Sequence, residues 1–208
     1  GVTTLTNSGA STFDVGAVTS GSAVIDTSGT VGAVTLATVT TTAGLTLTNS
    51  GTGAYTQTGA VSAGVTGDVV VNMAGTLGAV SLGAMSGKTV NLDVGNTIGG
   101  VNASGTITAL TSATLVLSSL QANAAALATV THAAAGTGLT VAATGGILND
   151  ALVINDVVTT TGITVTGAMN TDTDTILVDA DASTAATMAI TIAGVTEYET
   201  AIINVSGA

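Results

Sequence analysis

The chain has 208 residues, of which 46% are hydrophobic, 1% aromatic and 6% charged, with no cysteine and no proline. Twelve acidic residues face one basic residue, Lys88, giving a formal net charge of −11. This balance excludes nucleic acid, because nothing would neutralise phosphates, and argues against anionic membrane surfaces; the missing cysteines exclude disulfides, thiolate metal sites and thiol catalysis.

Mean hydropathy is positive, at +0.68. Yet no apolar run approaches the ~18 residues of a spanning helix, because Thr, Ser, Gly or Asn interrupts each one, so no membrane span is expected. With so few aromatic rings the core must be thin and filled by Val, Ile, Leu and Ala. Thin β-branched layers suit sheets and solenoids. The chain starts at Gly1 without a basic segment leading into an apolar one. That is expected of a processed chain, an excised fragment, or export without an N-terminal signal.

Residues 1–117 read as a repetitive region. "LTNSG" occurs at 5–9 and 47–51, an offset of 42. "GTVGAV" (29–34) returns as "GTLGAV" (75–80), an offset of 46, and "NTIGGV" (96–101) is a looser copy. Gly-Ala or Gly-Val/Gly-Gly units start at Gly16, Gly32, Gly59, Gly78 and Gly99, with gaps of 16, 27, 19 and 21. An irregular period near 20 fits one coil of a β-solenoid, whose apolar faces the next coil must cover. "LTLTN" (45–49), "VVVNM" (69–73), "TVNLDV" (89–94), "TITAL" (106–110) and "ATLVLS" (113–118) read as strands, and Asn-Ser-Gly, Ser-Gly and Thr-Gly as turns. The fold class is therefore all-β, with β-solenoid or parallel β-helix-like stacking; a stacked β-sandwich is the alternative.

Residues 118–136, "SSLQANAAALATVTHAAAG", are Ala-rich. Ser118 or Ser119 as cap, Gly136 as stop, and the stripe Leu120, Ala124, Leu127 and Thr131 predict one short helix over about 119–134. Residues 137–208 form an acidic β-rich C-terminal region holding eight of the twelve acidic residues. Its strands are "LTVAA" (139–143), "ALVIND" (151–156), "GITVTG" (162–167), "TILVDA" (175–180), "MAITIAG" (188–194) and "AIINVS" (201–206).

The acidic turns are the candidate chemistry. "NTDTDT" (170–175) sets Asn170, Asp172 and Asp174 at alternate positions; "VDADAS" (178–183) sets Asp179 and Asp181; Asp156 ends an Asn-Asp pair. Ca²⁺ takes about six to eight oxygens from carboxylates, amides and carbonyls, and an Asp-x-Asp turn offers several at once. Solvated turn carboxylates that keep a nearly charge-free chain soluble are the plainer alternative. The spacing matches neither an EF-hand loop nor a glycine-rich calcium nonapeptide. His132 stands alone, which fits a structural residue better than a ligand or base. Lys88 sits in "GKT", but Leu82 occupies the first glycine position of a phosphate loop. There is no G-x-S-x-G, and Glu197 and Glu199 lack the aromatic and basic company of a sugar-cleaving pair. No catalytic residue is assigned and no enzyme activity is expected. Thr38/Thr40, Thr46/Thr48 and Thr164/Thr166 are similar to the threonine rows of ice-binding solenoids, but the variable gaps argue against a common register.

"AITIAGVTEYETAIINVSGA" (189–208), with "TDTDTILVDADAST" (171–184) before it, resembles bacterial surface-layer proteins of the type I secreted, repeat-in-toxin-related kind. The composition of the whole chain shares that habit, and the specific phrasing covers about forty residues. The resemblance implies a β-rich, calcium-linked lattice subunit at the outer surface of a bacterial cell. The expectation is an extracellular structural protein that self-assembles into a surface layer or filament, with copies of itself and cell-surface polysaccharide as partners. Rival readings are an adhesin-type binding module on the solenoid and a strand-exchange pilus subunit lending residues 1–6 to a neighbour.

Overall fold

The computed structural model describes residues 1–95, 97, 99, 101–102 and 105–116, and beyond them the backbone of seven strands within 127–206. In chain order the strands are β1 (Val2–Thr6), β2 (Phe13–Val15), β3 (Val18–Asp26), β4 (Val34–Leu36), β5 (Val39–Thr48), β6 (Tyr55–Gln57), β7 (Val61–Ser62), β8 (Asp68–Asn72), β9 (Val80–Ser81) and β10 (Met85–Asp93). They continue with β11 (Val101–Asn102), β12 (Ile107–Val116), β13 (Leu127–His132), β14 (Gly138–Thr144), β15 (Ala151–Asp156), β16 (Gly162–Ala168), β17 (Thr175–Asp181), β18 (Ala189–Thr196) and β19 (Thr200–Ser206). No described residue is helical.

Every strand pairing among these elements is parallel, and the chain winds as a β-solenoid. The short strands β2, β4, β6, β9 and β11 stack as a 5-stranded sheet. All the others join a 14-stranded sheet. The long strands β3, β10 and β12 bend, with register shifts at Ser20/Ser22 and Gly87/Thr89, so each serves two faces of its coil. In the fourth coil the same path is split into β7 and β8. Past β12 the two halves separate: β13, β15, β17 and β19 continue one column, and β14, β16 and β18 the other.

Alternation decides what goes inside. Leu5, Ile25, Leu47, Val71, Leu92 and Leu115 stack in one column, 20, 22, 24, 21 and 23 residues apart in sequence. From Ile25 onward each is at most 2% exposed. Each such side chain contributes about 1.5–3 kcal/mol by leaving water. A single coil could not supply that burial, so each coil is stable only on its neighbours.

Two corner devices explain the repeated phrases. The first is a buried polar brace. Asn7 Nδ2 donates to Thr30 Oγ1 at 3.1 Å, and that hydroxyl donates to the Asn7 carbonyl at 2.9 Å. Asn49 and Thr76 repeat both bonds at 3.1 and 2.9 Å. Thr27 Oγ1 links the two braces by donating to Asn49 Oδ1 at 2.9 Å. Hence "LTNSG" and "GT[VL]GAV" recur every second coil: one supplies the Asn, the next the Thr that satisfies it. The Thr reaches inward because Thr27–Thr30 and Met73–Thr76 close turns, with Gly29 and Gly75 at φ +78° and +74°.

The second device is close approach. A Cβ on Gly53 would fall on the backbone carbonyl of Gly32, one on Gly78 on that of Gly53, and one on Gly99 on Gly78. Only glycine lets the coils approach so closely there. Gly53, not Gly59, is therefore the member of this column; Gly59 lies against Thr38 at a different corner. Gly16, with open space around it, is not a member either: Gly32 lies against Ser11, and counting Gly16 and Gly59 made the sequence period look more irregular than the column is.

The expected helix over about 119–134 is corrected where the structure describes it. Leu127–His132 form β13, paired with β12 on one side and β15 on the other. The stretch "LATVTH" carries β-branched residues; a ladder with β15 runs its whole length and one with β12 covers Val130–His132. That outweighs the helix propensity of the neighbouring alanines. Residues 119–126 and 133–134 lie outside the described residues.

Two stability experiments follow. Gly53→Ala should destabilise by about 3 kcal/mol in urea unfolding, as overpacking against backbone does, whereas Gly16→Ala, with open space around it, should stay within about 0.5 kcal/mol. Asn49→Ala should cost about 1–3 kcal/mol by stranding buried hydroxyls, with exposed Ser50→Ala as the near-neutral control.

Candidate functional site

Among the described residues the carboxylates serve the corners. Asp26 Oδ1 accepts the Ser28 N–H at 2.9 Å, and Asp93 Oδ1 accepts the Gly95 N–H at 2.8 Å. Asn72 does the same for Ala74 at 3.0 Å. These three residues occupy one register column, interrupted by Thr48. The Ser28 side chain and backbone hold the Asp26 carboxyl below its ordinary range. Asp68 Oδ1 accepts the Thr89 hydroxyl at 2.8 Å. Asp26 and Asp93 are thus turn caps, and Asp68 bonds a hydroxyl of the neighbouring strand.

The acidic residues singled out for calcium fall in or beyond the C-terminal strands. Asn170, Asp172 and Asp174 lie outside the described residues, as do Glu197 and Glu199. Asp179 is in register with Asn155 on one side and Asn204 on the other, and Asp181 with Ser206. Asp156 is in register with His132 and Ala180. Asp179 and Asp181 therefore share one parity of β17, while Asp156 aligns with the opposite parity. Among the described residues no three His, Asp or Glu come together as a metal-holding group.

Lys88 is exposed at the bend of β10, where its N–H donates to the Gly67 carbonyl at 2.7 Å. Its neighbours are those of a strand bend, not of a phosphate loop. Two shallow depressions lie on the outer faces. One, of about 260 Å³, is lined by Asn72, Asn91, Asp93 and Thr114 beside Val70 and Val116. The other, of about 300 Å³, is lined by Ser62, Ser86 and Thr108 with Val65 and Leu110.

The most regular outer feature is a set of hydroxyl rows. Thr19, Thr40, Ser62, Ser86 and Thr108 stand in one register column. Thr35, Thr56 and Ser81 form a second, on the short-strand sheet. Thr89, Ser112, Thr140, Thr164 and Thr191 form a third. Thr40, Thr140 and Thr191 are exposed, and the other residues of the second and third rows that are described are half-buried. Rungs of a sheet repeat every ~4.8 Å, so each row is a line of neutral donors and acceptors at that spacing. The variable coil lengths did not break this register, because the corners absorb the extra residues. Aligning the chain by its inward Leu and Val positions, instead of by its glycines, reveals the rows in the sequence.

The interior also holds polar atoms. Tyr55 Oη and Gln57 Oε1, on neighbouring inward positions of β6, have no hydrogen-bond partner among the described residues. Burial pushes the Tyr55 phenol well above its ordinary value of 10.0.

No protein-family model matches the chain, and no curated protein and no solved structure is significantly similar to it. Among the described residues no helix is long and apolar enough to cross a membrane.

The buried phenol makes an alkaline prediction. Below pH 10 the ring is protonated in both states. Above it the unfolded chain releases the proton while the folded chain retains it, so stability falls as pH rises. Urea midpoints measured upward from pH 9 should decline in the natural chain and decline less in Tyr55→Phe.

Proposed function

We propose that the chain is an extracellular structural protein that self-assembles into a bacterial surface layer or filament. The observation that carries this reading is the outer surface of the solenoid: parallel sheets bearing in-register rows of Thr and Ser, with charged side chains sparse along them. Exposed strand surfaces of this kind are a hazard for a solitary molecule and a joint for an assembling one. The resemblance of residues 171–208 to type I secreted surface-layer proteins supports the same reading.

Calcium enters from the sequence. The alternate Asn170, Asp172 and Asp174 offer hard oxygens within five residues of sequence, and cations linking such stretches would make assembly switchable. With a net charge of −11, divalent cations are also the natural counter-ions.

Negative-stain microscopy of the purified chain with calcium and with chelator tests both parts. Ordered arrays or filaments in calcium, dispersing in chelator, are expected. Arrays in both conditions would remove calcium from the reading. Dispersed particles in both would overturn self-assembly and favour a monomeric adhesin.

A further inference from the structure

We propose that the face formed by the second half of β12 with β14, β16 and β18 binds ice. The third hydroxyl row lies on it. Ser112, Thr140, Thr164 and Thr191 are four consecutive rungs, each in direct register with the next. Thr89 begins the row but donates its hydroxyl to Asp68, so the neutral stretch starts at Ser112. Thr140 and Thr191 are exposed and Thr164 is half-buried.

Two residues on, Thr114, Ala142, Thr166 and Ala193 form a parallel column in the same register. Every member of the two columns is Ser, Thr or Ala, so the face carries no charge and no bulky group at these positions. No register shift interrupts either column; the one in β18 falls after Thr166. The columns stand about 7 Å apart along the strands and their rungs about 4.8 Å apart across them. The register thus sets small neutral residues at two-dimensional spacings close to those of the ice lattice.

The chemistry suits an ordered water surface. A threonine hydroxyl both donates and accepts, so it can replace a lattice water. Its methyl group, and that of alanine, hold neighbouring water by apolar hydration without binding it. Threonine is stiff at χ1, so the array is set before ice arrives. A carboxylate or ammonium would instead hold its own hydration shell. The corresponding positions of the first four coils carry Asp68, Val24 and Val70, which breaks the pattern there. The ligand is thus solid water, and the site is confined to the C-terminal half of one face. This inference is independent of self-assembly.

The test is ice recrystallisation inhibition and thermal hysteresis of the purified full chain, in chelator to keep it dispersed. The natural chain should inhibit recrystallisation and shape ice crystals. Thr164→Tyr should abolish both while keeping the β-sheet circular dichroism of the parent. Thr56→Tyr, on the short-strand sheet, should leave both unchanged. No inhibition by the folded natural chain would overturn the proposal, as would equal loss in the two variants. If Thr164→Tyr fails to fold, Thr140→Lys gives the same reading from the adjacent rung. Array formation is read separately by microscopy, so failure of one reading does not disguise failure of the other.

Discussion

Each coil of this molecule depends on the coil beside it. A coil of about 20 residues has too little apolar surface to bury by itself, and its strand N–H and C=O groups point along the stack, to the coil before and the coil after. Parallel register between neighbours satisfies both needs together. It stacks Leu, Ile and Val on one another from Leu5 to Leu115 and gives the internal rungs of that column two ladders. Features that look decorative in the sequence protect that register. The Gly32–Gly53–Gly78–Gly99 column keeps one corner close. The Asn–Thr braces make a coil shifted by one residue lose buried hydrogen bonds, and an unpaired buried amide is costly.

The same arrangement accounts for the near absence of charge. Only alternate strand positions meet water, and here Thr and Ser fill most of them. Their hydroxyls wet the surface while their branched or small side chains fit a pleated sheet. Two of the described carboxylates, Asp26 and Asp93, accept backbone N–H groups that a sharp corner leaves unpaired. Acidity at these corners is thus first a matter of turn geometry. Further along, Asp179 is in register with an Asn on each flanking rung.

The two proposed uses of this stack, self-assembly and ice binding, would draw on its sparsely charged, hydroxyl-rich faces in different ways. Its faces can lie against copies of the same chain, where like charges would otherwise intervene. They can also lie against a lattice of water, where the regular hydroxyl spacing matters more than affinity at any one group. The first use draws on the whole surface and on the acidic turns. The second needs only the four rungs from Ser112 to Thr191.

Much of this was legible in the chain itself. Composition pointed to thin β layers, the recurring phrases to coils, and the Asn-Ser-Gly and Ser-Gly pairs to corners, because those properties are local or compositional. The helix over 119–134 was misjudged at Leu127–His132, since alanine propensity is local while the two ladders that hold β13 come from residues more than 20 positions away. Register was equally beyond a one-dimensional reading. Glycines at different corners are interchangeable in sequence, so Gly59 passed for Gly53, and the hydroxyl rows stayed hidden behind uneven loop lengths. The sequence by itself determined thin β layers, sparse charge and repeated corner phrases. Only the tertiary structure decided which residue rests on which, because register is set by contacts between coils and not by anything within one.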